Sequence, residues 1–414
     1  MKAPRPEMTS RDRLRAVWSG TVPDHVPLTT WCFGLQPRAE LRWRRGGEDI
    51  RFWYSKRMEH IHRIPQGWEL EDDIRRARAW KSLGVDDILD VSVPWSMDPE
   101  VHKTDRQESD AAGIVLVRGY TTPAGTLRHA VRRTDESIAD GWVIQPEVVE
   151  LFEDFNVPRA TRHVLSEPAD VPRIRWLYRP PDAAARQWFQ SRMAELTSVA
   201  EAEGIAVQAW AAFGMDAAVW LAGTEGTILF ANDYPTEFGE LLDIILEADL
   251  ARAELAASHP AVDLVVQRGW YSSTDFWSPA HFNELVYPRL AELCRAVHRL
   301  GKKVAYVMTT GVERLGPRLA DAGVDVLYFV DPHQDRVSPK RARELLSDRL
   351  TLVGGTNALS LAADQRPCLE REVRESLEVL GPTNRFVLHP VDALFPDTPW
   401  DGVERLVELW KRYR

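Results

Sequence analysis

Several apolar runs of strand length in this chain are followed at once by a polar or ring-bearing side chain. Trp31 and Cys32 end the first such run, and Asp90 and Ser92 lie at the end of the second. Trp210, with Asp216 just beyond it, follows the third, and Arg268 and Tyr271 the fourth. Met308, Thr309 and Thr310 end the fifth, Asp331 and His333 the sixth, Asn357 the seventh, and His389 and Asp392 the eighth. Brought together, these residues would make a pocket of carboxylates, imidazoles and a guanidinium, able to move protons or to hold a cation. A single polar residue after a strand is also what a helix cap looks like, so the argument rests on the set. Trp270, Tyr271, Phe276 and Trp277 could wall a flat substrate or simply pack their loop. His333 lies between Asp331 and Asp335 and could meet His389 or Asp392. Around these residues no HxH, HExxH or CxxC spacing supports it, and no metal ligand is assigned.

Positioning such a set at one face requires strands that all point the same way. The stretch Lys303 to His333 shows the unit: an apolar run Val304–Met308, a helical stretch with Val312, Leu315, Leu319 and Ala322, then Val324–Val330. Spacings of three and four mark the helix, and the short apolar runs mark buried strands, so this is a βαβ unit. Further strands are expected at Val26–Phe33, Asp87–Val93, Ile205–Phe213, Val262–Gly269, Leu350–Gly354 and Arg385–Leu388. Helices are expected over 10–20, 49–62, 70–82, 183–203, 280–300, 339–347, 367–380 and 400–414. A further helical region, Ala217–Ser258, should break at Gly223, Gly226 and Asn232–Pro235. Between about 105 and 181 the pattern changes: GIVLVRGY and TLRHAVRR alternate around TTPAG, which reads as a β-hairpin. The expected fold is a single α/β domain over 1–414, a (β/α)8 TIM barrel with a hairpin-containing insertion after the second strand. No GxGxxG or GxxxxGK[ST] loop supports a doubly wound sheet instead.

Bulk properties narrow the partners. A formal net charge of −10 argues against nucleic acid. Three scattered cysteines form no disulfide framework. No run of about 18 apolar residues predicts a membrane span, and no apolar signal region opens the chain, so a cytoplasmic protein is expected.

The motifs MTSRDRLRAVWSGTVPDHVPL, FWSPAHFNELVYPRLAELCRAVHRLGKKV, AGVDVLYFVDP, LVGGTN and PDTPWDGVERLVELW, in that order, resemble the uroporphyrinogen decarboxylase superfamily. That superfamily also holds the cobalamin and coenzyme M methyltransferases. The resemblance implies a TIM barrel with its site at the strand carboxyl ends. It leaves the reaction open. The arginine-rich carboxylate clamp of the decarboxylases is absent from WCFGLQPRAELRWRR, where Arg38, Arg42 and Arg44 stand instead. Asp90 matches their acidic residue, and Asp392, not His389, aligns with their late histidine. The methyltransferases' zinc ligands fall on Met308, Thr310 and Asp392, so the usual zinc site is expected to be lost.

The first expectation is therefore a methyltransferase-like enzyme, acting on a small methylated compound or with a corrinoid protein as partner. Asp90, Asp331, His333 and Asp392 are the catalytic candidates. Arg42, Arg44, Trp210, Arg268, Tyr271, Thr310, Asn357 and His389 are the substrate-binding ones. A homodimer is allowed for. The alternatives are a decarboxylase of a porphyrinogen or other carboxylated ring, with Asp90 stabilising a cationic intermediate, and a non-catalytic ligand-binding barrel.

Overall fold

A computed structural model describes residues 7–31, 43–45, 48–50, 77, 78, 80–133, 149–394 and 398–414. In chain order its strands are β1 (Trp43–Arg45), β2 (Glu48–Ile50), β3 (Ile88–Ser92), β4 (His102–Asp110), β5 (Gly113–Thr122), β6 (Gly125–Arg132) and β7 (Ala160–Arg162). They continue with β8 (Ala206–Ala212), β9 (Leu264–Arg268), β10 (Lys303–Val307), β11 (Val326–Val330), β12 (Thr351–Asn357) and β13 (Phe386–Val391).

Seven of them form one parallel sheet in the order β13-β12-β11-β10-β9-β8-β3. These strands are covered on both faces, which is why they read as unbroken apolar runs. Side chains alternate between two packing layers. Leu89, Val91, Val207, Ala209 and Val265 join the outer cluster with the helices. Ile88, Ala206, Trp210, Leu264, Val266, Ala305, Val307, Tyr328 and Val387 join an inner one. The helix Ser10–Ser19, capped by Thr9 and stopped by left-handed Gly20, adds Leu14, Val17 and Trp18 to the inner cluster. The two edge strands also meet one common segment. Thr29 N donates to Leu388 O, Leu388 N to Pro27 O, and Asp86 N to Leu28 O. Of the expected strand Val26–Phe33 the described residues show a single parallel bridge, Leu28 to Leu388, beside Pro27, which has no backbone donor; Cys32 and Phe33 lie outside the described residues.

The helices fall close to their expected places: Ala183–Glu203, Tyr287–Arg299, Val312–Ala322, Pro339–Leu346, Arg366–Leu380 and Trp400–Tyr413. Three expectations need correction. Residues 48–50 are strand, not the start of a helix over 49–62, and the remainder of that helix lies outside the described residues. Gly226 does not break its helix, since Thr224–Asp233 runs through it; Gly223 does break the chain, at φ 76°. The hairpin belongs to a larger antiparallel sheet, β4-β5-β6-β7. All of β4 is exposed, so His102–Asp110 carries no apolar alternation by which a sequence could announce it.

Gly354 shows why LVGGTN takes two glycines. At φ 138° it lies where the β11–β12 register shifts, and a Cβ there would come within 2.3 Å of Val330 O. Only glycine lets the two backbones approach so closely.

Candidate active site

The carboxyl ends of β3, β8, β9, β11, β12 and β13 carry most of the expected residues, and hydrogen bonds tie them into groups. Asp90 Oδ1 accepts from Gln208 Nε2 and from Trp210 Nε1, both at 2.6 Å. Gln208 Oε1 in turn accepts from Tyr328 Oη at 3.3 Å. Above them Trp31 packs against Tyr328, Phe329, Trp210, His389 and Trp270, with ring centroids 4.8–5.9 Å away. Of the expected aromatic wall, Trp270 stacks parallel to Trp210, whereas Trp277 is buried and donates to Tyr271 O.

Arg268 is the centre of a second group. Its Nε donates to Asp216 Oδ2 at 3.0 Å and its Nη2 to Asp154 Oδ2 at 2.7 Å. Trp220 and Trp270 lie against the guanidinium at 4.7 and 4.3 Å, within cation–π range. Asp154 Oδ1 also accepts from Trp220 Nε1 and from Tyr271 Oη, and Asp216 Oδ1 accepts from Tyr271 N. Burial pushes Asp216 up to about 7, with Arg268 opposing it, and burial likewise raises the Tyr271 phenol. Arg268 is therefore engaged by carboxylates of its own chain.

A third group surrounds β11 and β12. Asp331, fully buried, accepts from both Asn357 Nδ2 and His333 N at 2.8–3.0 Å. Burial pushes its carboxyl above the usual carboxylate range, and the bonds to His333 and Asn357 oppose that. His333 Nε2 faces Ser360 Oγ at 2.8 Å and Glu372 Oε1 at 3.0 Å. Thr310 Oγ1 donates to Asp275 Oδ2, and Asp335 accepts from Gly311 N and Val312 N at the start of the helix Val312–Ala322. Asp335 is therefore a helix cap, the plainer role that strand-end acids often take.

The fourth group lacks partners among the described residues. His389 Nδ1 meets Thr29 Oγ1 at 3.0 Å, but its Nε2 is buried without a hydrogen bond, and burial lowers the ring to about 3. Asp392 Oδ1 and Ser92 Oγ are likewise enclosed and unpartnered. Asp392 keeps some solvent access, yet burial pushes it up to about 7; Arg268 opposes this, and Asp154 and Asp331 add to it. A carboxyl so placed is present in both protonation states near neutrality, as a general acid or base requires.

The positions to which the resemblance assigns zinc hold a fully buried methionine, Met308, and a threonine already committed to Asp275. Among the described residues, no three His, Cys, Asp or Glu side chains are grouped so as to hold a metal. Arg42 and Cys32 lie outside the described residues, and of Arg44 only the backbone, in β1, is described. Two acids escaped the strand-end reading. Asp154 opens the short 3-10 helix Asp154–Arg159 far from any parallel strand. Glu372 lies on the buried stripe of the helix Arg366–Leu380, beside Leu369, Val373 and Ser376. A charge on an apolar helix face was the available signal.

No curated protein matches this chain. Among solved structures, a methyltransferase from Methanosarcina mazei is similar, with a TM-score of 0.56 and 17% identity, over 98% of this chain and 99% of that one. At that identity the likeness speaks for the fold. The family model for uroporphyrinogen decarboxylase (URO-D) matches residues 152–413, from the segment before Asp154 through the last helix, and the chain belongs to that family.

Proposed function

We propose that this chain is a methyltransferase-like enzyme of the superfamily, taking a methyl group from a small methylated compound at the carboxyl ends of the strands. In this reading the segment 27–31 completes the sheet into an eight-membered barrel, and the antiparallel sheet walls one side of the mouth. The observation that carries the reading is Asp392, an enclosed carboxyl just past the end of β13, with an oxygen that has no partner among the described residues and burial pushing it up to about 7. As the bond from the methyl carbon to its heteroatom breaks, the carbon passes to the acceptor's nucleophile. Asp392 then gives its proton to the heteroatom left behind. A corrinoid protein docked at the mouth would supply that nucleophile. Met308 and Thr310 do not suit a thiolate-activating zinc, so proton transfer by side chains replaces metal assistance here.

Among the described residues, the guanidinium at the strand ends favours this reading over a polycarboxylate substrate. Arg268, saturated by Asp154 and Asp216, has little left to offer a substrate carboxylate. Decarboxylation of a carboxylated ring stays in play as a second reading through Asp90, whose doubly bonded oxygen would face a cationic intermediate at the pocket floor.

The test is to mix the protein with reduced cobalamin and a panel of O-, N- and S-methyl compounds and to follow methylation by absorbance. Turnover of an O- or N-methyl compound is expected, falling about 10²-fold or more in Asp392→Asn. Release of carbon dioxide from ring carboxylates, with no methylation from any compound, would move the assignment to the decarboxylase side.

A further inference from the structure

We propose that Glu372 is a positioning residue that holds the proton of His333 on Nε2, leaving Nδ1 as the basic nitrogen. For its effect on turnover the inference rests on the methyltransferase reading above, with His333 taken as one of the catalytic candidates, but its geometry stands apart from that reading. Glu372 projects from the helix Arg366–Leu380 and is 7% exposed. Ser360 Oγ donates to its Oε2 at 2.8 Å and Thr356 Oγ1 to the same oxygen at 3.0 Å; both hydroxyl residues are fully buried. Its other oxygen, Oε1, stands 3.0 Å from His333 Nε2.

Counting protons then settles the tautomer. A carboxylate only accepts, and the single hydroxyl proton of Ser360 is committed to Glu372. Ser360 Oγ, 2.8 Å from Nε2, has only lone pairs left to offer the ring. Both neighbours of Nε2 are therefore acceptors, and Nε2 must carry the hydrogen. In the neutral ring Nδ1 keeps its lone pair. The hydrogen bond on one ring nitrogen decides the role of the other. Serine is not a nucleophile in this arrangement. A nucleophile and an orienting acid need opposite ring nitrogens, and here Ser360 and Glu372 share one. When Nδ1 takes a proton from a bound group, the imidazolium formed keeps Nε2–H against Glu372 Oε1.

The isosteric variant Glu372→Gln turns this into a measurement. With its carbonyl oxygen retained by the Thr356 and Ser360 hydroxyls, the new amide group presents N–H to the ring. Nε2 must then become the acceptor, and the proton moves to Nδ1. Long-range proton–nitrogen NMR on protein with ¹⁵N-histidine, His333 being assigned by difference from His333→Gln, reads this directly when the ring is neutral. The native protein is expected to show a protonated Nε2, and Glu372→Gln a protonated Nδ1. A native ring protonated on Nδ1, or no change in Glu372→Gln, would overturn the proposal. Ser360→Ala serves if Glu372→Gln does not fold. Glu372 Oε1 remains in place there, so the native tautomer must persist, and a switched tautomer would equally overturn the assignment. Should methyl transfer be found, Glu372→Gln should lower kcat about 10²-fold with little change in KM. A switched tautomer in a protein that methylates nothing would leave the positioning role intact and remove the methyltransferase reading instead.

Discussion

The two sides of the strand mouth are built on opposite terms. Around Arg268 each charge has a partner: two carboxylates, a phenol, an indole N–H and a backbone N–H form one closed network under two tryptophan rings. Around β13 and the end of β3, His389 Nε2, Asp392 Oδ1 and Ser92 Oγ are enclosed with nothing among the described residues to bond to. A buried polar group without a partner costs folding free energy, so such groups persist where something other than folding uses them. On the function proposed above, the saturated side is framework, and the unsaturated side is where a substrate would find bonds to make.

Breaking the saturated side should have the largest effect. Arg268→Leu strips Asp154 and Asp216 of their counter-charge and should cost ~3–5 kcal/mol in urea unfolding. A loss below about 1 kcal/mol would show that the network contributes no more than a surface pair.

His389 should come next, and only in acid. Its ring is held neutral down to about 3, below the usual imidazole value, so the unfolded chain binds the proton first. Native stability should fall as pH drops from about 6.5 towards 3. In His389→Gln the difference in stability between pH 7 and pH 4 should shrink by ~3 kcal/mol. Unchanged acid sensitivity would mean the ring is reached by water.

Asp392 runs the other way along the pH axis. Its carboxyl is raised to about 7, so the unfolded chain ionises first, and native stability declines between about pH 4 and 7. Asp392→Asn should be no more stable than native at pH 4 and ~2 kcal/mol more stable at pH 8, allowing for water at the mouth. Gain of stability with loss of turnover would mark the residue as functional strain.

Ser92→Ala is the finest probe. The hydroxyl has no bond to lose, so stability should change by less than ~0.5 kcal/mol, whereas Tyr271→Phe, on the saturated side, should cost ~1 kcal/mol. Equal costs would erase the contrast between the two sides.

Much of the frame could be read from the residues because it obeys local rules. Thr9 and Gly20 bracket their helix as cap and stop, and the apolar runs at 88–92, 206–212 and 326–330 are strands because they are buried on both faces. Strand-end reading also found Asp90, Asp331, His333, Asn357, His389 and Asp392. It could not assign partners, since those come from distant elements. Asp154 reaches Arg268 across 114 residues, and Glu372 reaches His333 across 39. Spacing along a chain carries no trace of such pairings. Arg268 illustrates the cost: read alone it is a substrate anchor, and read with Asp154 and Asp216 it is a strut.

The first helix has a consequence for traffic. Leu14, Val17 and Trp18 lie in the inner cluster with Ile88, Ala206, Leu264 and Val326, which begin or nearly begin their strands, and Val17 O accepts from Thr351 at the start of β12. The amino-terminal end is therefore stoppered. In the barrel proposed above, a substrate therefore comes and goes at the carboxyl-end mouth, and anything docked there governs both its entry and its departure.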